Sequence, residues 1–124
     1  MGLLGKLLGI VPKQPPVHIN DENFEREVLQ AQEPVLLDIW SPQCGPCKML
    51  EPIMMELAAT YDGRVKVCEM GVHAAPMAAS KLGVRATPTV VYLQSGKELD
   101  RVAGFRGSLY HSQSITELFG IDPQ

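Results

Sequence analysis

No apolar run in this 124-residue sequence approaches the roughly 20 residues that cross a bilayer. Nor is there a basic surplus: 11 Lys and Arg stand against 14 Asp and Glu, giving a net charge of −3 with no basic cluster. A nucleic-acid footprint is therefore not expected. Cysteines number only three, too few and too odd for a disulfide framework. Trp40 is the single tryptophan. Neither a second CxxC nor an HxxxH spacing is present, so no zinc signature is complete. Repeats and low-complexity tracts are missing too. What remains, with 45% apolar residues, suits one domain with a single sizeable core.

Residues 1–16 differ from the rest. The first eleven are apolar but interrupted by Lys6, and they lack a charged start and a small-residue cleavage site before Pro12. Lys6 also stands where a myristoylation signal would need Ser or Thr. Read as a helix, Leu3, Leu4, Leu7, Leu8 and Val11 share one face. Such a face packs on its own domain, frays as a terminus, or docks on a membrane surface or partner. Pro12 and Pro15-Pro16 then form a stiff, extended linker, and residues 17–124 form the domain proper.

The chemistry is concentrated in Trp40-Ser-Pro-Gln-Cys44-Gly-Pro-Cys47-Lys48, where an apolar strand gives way to a helix. Residues at i and i+3 on a helix lie on one face with Cβ atoms about 5–6 Å apart, and a disulfide needs Cα atoms about 4.4–6.8 Å apart. The pair can thus open and close with little backbone movement. Cys44 falls at the first helical turn, where unpaired N–H groups and the macrodipole favour a thiolate. Pro46 suits that turn because its missing N–H costs nothing there, and Gly45 leaves the Cys44 sulfur uncrowded. Cys47, one turn further in, is expected to be more buried and less reactive. A redox-active pair in a chain of this kind reads as catalytic in a reducing, cytoplasmic compartment.

Around the motif, short apolar strands alternate with helices, which points to an α/β domain. Residues 17–19 read as a strand, and Asn20 and Asp21 as N-caps of a helix carrying Phe24, Val28 and Leu29 that Pro34 stops. Residues 35–40 are apolar on both faces apart from Asp38, as in a central parallel strand covered on each side. Leu50, Ile53, Met54, Leu57, Ala58 and Tyr61 mark one face of the helix after the motif, with a kink expected at Pro52. Then follow a strand over 64–70, a helix over 75–82 closed by Gly83, and a hairpin of 89–93 and 97–105 about Ser95-Gly96. The last helix runs to Phe119 and starts either at a Ser108 cap or at the Ser114–Glu117 capping box.

In this order, residues 17–120 resemble the thioredoxin family. The resemblance rests on Asp38-Ile-Trp40 ahead of Cys44-Gly-Pro-Cys47-Lys48, on Pro52, on Lys81-Leu-Gly-Val-Arg-Ala-Thr-Pro-Thr89 and on Gly104. It implies a thioredoxin fold: a mixed sheet of about five strands flanked by about four helices. By resemblance, Cys44 attacks, Cys47 resolves, Asp38 is the buried acid that exchanges protons with Cys47, and Pro88 is a cis-proline facing the disulfide. Gln43, Gly45, Pro46, Thr87, Pro88, Ala103 and Gly104 then match the surface that receives an extended substrate segment. The family also implies protein disulfides as substrates, a flavin-dependent thioredoxin reductase as partner, a monomer, and no metal or bound cofactor.

Two positions depart from the family pattern. Gln43 stands where a second Trp usually precedes the first cysteine, which replaces a broad apolar contact with a smaller polar one. Glu69 falls where the family has a Lys beside the buried Asp, so like-charge repulsion is expected to raise the pKa of one carboxylate.

Other readings of the same residues stay open at this level. Cys44 and Cys47 could form half of a zinc site completed by two of Cys68, His73, His18 and His111. The protein could be a dedicated reductant of one client, held at a membrane surface, or a scaffold without turnover. Asp38 favours function, because burying an unpaired carboxylate is costly. Cys68 reads as a small core residue or a regulatory thiol, Trp40 as a packing residue, and His73 and His111 as surface residues. Lys48 can raise the thiolate population or be simply solvated, and the methionines fill the core or soften the surface.

Overall fold

The computed structural model describes residue 9 and residues 11–124. Of the expected helix over residues 3–11, residues 3–8 and 10 lie outside the described residues. Five strands form one sheet in the order β1-β3-β2-β4-β5, with β1 Val17–Ile19, β2 Val35–Trp40, β3 Lys66–Gly71, β4 Thr89–Gln94 and β5 Lys97–Ala103. β1, β3 and β2 run parallel, whereas β4 pairs antiparallel with both β2 and β5. The predicted mixed sheet is thus present, and its middle strand, β2, is parallel on one side only.

Alternation along β2 sends its side chains to two different cores. Val35, Leu37 and Ile39 join Cys68 and Met70 beneath α1 (Glu25–Leu29) and α3 (Pro76–Leu82). Leu36 faces the other way, with Val67, Val90 and Tyr92, toward α2 (Gly45–Thr60) and α4 (Ser108–Phe119). By the same alternation Asp38, Trp40 and Glu69 lie on the α2 face. That parity brings all three to the side of the motif helix.

α1 is a single π-wound turn in which Gln30 N–H donates to the Glu25 carbonyl at 2.9 Å. Asn20 caps its approach, as predicted, by accepting from the N–H groups of Glu22 and Asn23 at 2.9 and 3.0 Å. Asp21 does something else. Its carboxylate accepts from Met77 N–H at 3.1 Å and Ala78 N–H at 2.9 Å, capping α3 across the fold. Since Ala75 offers α3 no side-chain cap, Asp21 supplies the anion that the helix start favours.

α2 runs unbroken through Pro52, and Gly83 closes α3 in the left-handed conformation with φ of 67°. α4 begins with Ser108 after an N-cap at Gly107, so Ser114 lies in its interior. β5 stops at Ala103, short of Phe105, because Gly104 turns the chain with φ of 92°. The segment before β1 lies along α2: Gln14 N–H donates to the Met55 carbonyl and Gln14 Nε2 to Asp62 Oδ1, each at 3.1 Å. No helix among the described residues is long and apolar enough to cross a membrane.

His111 corrects the surface reading. It is fully buried on α4, with Nδ1 2.6 Å from the Tyr92 hydroxyl. Burial holds the Tyr92 hydroxyl up at about 12, so it stays protonated against the imidazole. Burial first, and Arg106 second, lower the His111 pKa to about 4. The folded state therefore resists protonating His111, and stability linked to it is lost as pH falls from the ordinary histidine value of 6.5 through 4. That loss amounts to about 3 kcal/mol. Asp38 titrates alike in both proteins, so wild type is expected to lose about 3 kcal/mol relative to His111→Gln between pH 7 and pH 4 in urea unfolding; a difference unchanged with pH would contradict it.

Candidate functional site

Cys44 is the N-cap of α2 and Cys47 lies in its first turn, with Pro46 between them. The two are joined as a disulfide with Cα atoms 5.2 Å apart. Cys47 N–H donates to Cys44 Sγ at 3.2 Å, so the helix start directs a donor at this sulfur. Cys44 is partly exposed and Cys47 is buried, in the predicted order. Gln43, just before them, is exposed and left-handed with φ of 58°.

Across from the pair stands the loop entering β4. The Thr87–Pro88 peptide bond is cis, and the Thr87 carbonyl oxygen lies 3.7 Å from Cys44 Sγ. Ser41 Oγ and Thr87 Oγ1 are 2.6 Å apart, which ties the two flanks of the motif together. Gly104 N–H donates to the Pro88 carbonyl at 2.8 Å, placing Ala103 and Gly104 beside the cis bond. Cys44, Thr87, Pro88 and Gly104 thus gather at one end of the sheet.

Behind Cys47 lies a cavity of about 480 Å³ lined by Asp38, Trp40, Gln43, Glu51 and Glu69 among others. Asp38 is 4% exposed and its Oδ1 has no hydrogen-bond partner among the described residues. Burial, then the charges of Glu69 and Glu51, raise its pKa to about 7. Glu69 is the direct β3 partner of Asp38, as the expected register required. Like-charge repulsion therefore contributes, but burial is the larger cause. An acid poised near neutrality, in the same cavity as Cys47, can take and return a proton at physiological pH.

Sequence reasoning did not foresee how Glu69 is held. Trp40 Nε1–H donates to its Oε1 and His18 Nδ1 lies against its Oε2, both at 2.6 Å. The signal was available in the parallel register of β1 and β3, which pairs His18 with Glu69. Gly71 was also missed: a Cβ there would lie 2.5 Å from His73 Cε1 and 3.1 Å from Trp40 Cζ2, so only Gly lets the exposed His73 edge onto the Trp40 ring.

Cys68, His18, His73 and His111 do not join the cysteine pair. Cys68 and His111 are buried in opposite cores, and no group of three or more metal-holding side chains converges among the described residues. Burial pushes the Cys68 thiol up to about 12, which fits the core role and gives no reactive thiolate. Lys48 is exposed at the cavity rim, Met54 is in the core and Met55 is half-buried beside it.

Comparison with known proteins agrees with this geometry. A family model described as Thioredoxin matches residues 15–116. Thioredoxin 1 of Nostoc sp. is 40% identical over 86 residues, 69% of this chain and 80% of that protein. Thioredoxin of Haemophilus influenzae is 42% identical over 81 residues, 65% and 76% of the two chains. A chloroplastic M-type thioredoxin of Brassica napus is 42% identical over 86 residues, 69% of this chain and 49% of that one. The disulfide pair at the start of a helix, opposite a cis-proline and above a buried acid, lies within the matched residues 15–116, and the chain belongs to the thioredoxin family.

Proposed function

We propose that this protein-disulfide reductase works by attack of Cys44 and resolution by Cys47, with Asp38 as the proton acceptor for the second step. The Cys44 thiolate attacks one sulfur of a substrate disulfide, forms a mixed disulfide and expels the other substrate sulfur as a thiolate. Cys47 then gives its proton to the Asp38 carboxylate, attacks Cys44 Sγ and expels the second substrate thiolate. Two electrons pass from the dithiol to the substrate, and the Cys44–Cys47 disulfide closes. A dithiol donor, by family resemblance a flavin-dependent thioredoxin reductase, reopens it.

The observation that carries this reading is the disulfide itself, at the N-terminus of α2 and within 3.7 Å of the Thr87 carbonyl. Gly45, Pro46, Thr87, Pro88, Ala103 and Gly104 supply the surface for an extended substrate segment, with Gln43 at its edge. Turnover in this direction needs a reducing compartment, and the cytoplasm is the assignment that fits it.

The test uses dithiothreitol-driven reduction of a generic disulfide protein. Wild type is expected to accelerate it. Cys47→Ser is expected to stall after one attack, leaving a substrate joined covalently to Cys44 that survives non-reducing gels and is released by excess thiol. An inert wild type, or a Cys47→Ser protein that captures no substrate, would favour the scaffold reading. Capture of one dominant protein from extract would favour a dedicated reductant.

A further inference from the structure

Three carboxylates, Asp38, Glu51 and Glu69, line the cavity behind Cys47, against one ammonium, Lys48 at the rim. They come from β2, α2 and β3 and so surround the space from different elements. Glu51 and Lys48 form no ion pair with any described residue. Each Glu69 oxygen already has one donor, Trp40 Nε1 or His18 Nδ1, and a carboxylate oxygen can accept more. The innermost group, Asp38, is buried with Oδ1 unpartnered. Unsatisfied buried acceptors of this kind call for a donor.

The walls differ from the floor. Pro15, Pro16, Trp40, Met54 and Met55 give an apolar lining. Pro15, Pro42, Gln43, Lys48 and Glu51 are exposed, so the space is open to solvent beside the motif. Its volume of about 480 Å³ falls among ligand-sized cavities. Apolar walls with an acidic end suit a side chain that has a long hydrocarbon stem and a cationic head. A bare metal ion has no stem, and no group of three or more metal-holding side chains converges among the described residues.

We propose that this cavity receives a lysine or arginine side chain of the substrate, so that the enzyme favours disulfides with a cationic residue close by in sequence. The inference rests on the reductase reading above and names its substrate class. A cation seated there also acts on the second step. Asp38 is faced by Glu69 of β3 and Glu51 of α2, with Lys48 at the rim and His18 of β1 on the far side of Glu69. A guanidinium among these groups favours the Asp38 carboxylate over the acid, and the carboxylate is the form that accepts the Cys47 proton. Substrate charge then raises kcat as well as lowering KM.

Matched disulfide peptides test it, identical but for arginine or its neutral isostere citrulline at each of the three positions on either side of the attacked cysteine. At one position at least, kcat/KM is expected to be about tenfold higher for arginine at low salt, and the ratio to shrink as salt rises. Glu51→Gln and Glu69→Gln are each expected to cut the ratio by about threefold or more. Glu117→Gln removes one negative charge from an exposed position on α4, away from the cavity, and is expected to leave the ratio intact. Equal rates for both peptides at every position, or a ratio unmoved by both cavity variants, would overturn the inference while leaving the reductase reading in place. A wild type that reduces neither peptide would overturn the reductase reading itself.

Discussion

Cys44→Ser is expected to lower dithiothreitol-driven disulfide reduction to background, a loss of roughly a thousandfold or more. A serine hydroxyl stays protonated where a thiol ionises, and only the thiolate attacks a disulfide. The loss should occur without unfolding. Cys44 is the N-cap of α2 and accepts from Cys47 N–H at 3.2 Å, and serine is among the best residues for that position. Equilibrium unfolding of the variant should therefore match that of the reduced wild type to within about 1 kcal/mol. Cys68→Ser serves as the contrast, because a fully buried thiol held up at about 12 offers no nucleophile and its replacement should leave turnover in place. Substantial activity in Cys44→Ser would remove this residue from the first step and shift the attack to another sulfur.

The site was legible in the sequence to the extent that it depends on spacing. Cys44 and Cys47 had to share a helix face, and the strand before them had to be covered on both sides, since 35–40 leaves only Asp38 polar. The register of Glu69 against Asp38 followed from resemblance and holds in the β2–β3 pairing. Residues whose role depends on a partner far away in the chain could not be read so well. Asp21 sits where a local N-cap belongs, yet its carboxylate reaches Met77 and Ala78, because the fold brings the start of α3 beside it. His111 carries no local sign of burial; only the crossing of α4 over β4 sets it against Tyr92.

The same distinction separates charge from environment. Sequence gives the like charges of Asp38 and Glu69 but not how deeply each is covered. Asp38 is 4% exposed, whereas the Glu69 side chain is 24% exposed and held by two donors. Burial therefore falls on Asp38, which takes the proton, while Glu69 contributes mainly its field. Gln14, Pro15 and Pro16 add a wall that composition suggested was only a linker, since Gln14 bonds to α2 and both prolines line the cavity.

Asp38→Asn is expected to stabilise the oxidised protein at alkaline pH relative to acid. In wild type the folded state holds the Asp38 proton up to about pH 7, whereas the unfolded chain releases it near 3.8. Between those values the folded state binds more protons, so the stability linked to Asp38 is fully present below 3.8 and lost as pH rises through 7. The lost stability is about 4 kcal/mol. Asparagine cannot ionise and brings only a constant cost for its unpaired amide, so the difference between variant and wild type should grow by about that amount from pH 4 to pH 8. His111 titrates alike in both proteins and cancels from the comparison. In turnover the effect reverses: the variant lacks the carboxylate that accepts the Cys47 proton, and resolution should slow by about a hundredfold at neutral pH. Its rate should also lose the rise through pH 7 that wild type shows. Urea unfolding at the two pH values, and stopped-flow Trp40 fluorescence of the resolving step, measure the two effects separately. A variant more stable only at pH 8 yet equally fast would leave Asp38 a buried charge without a part in the proton transfer.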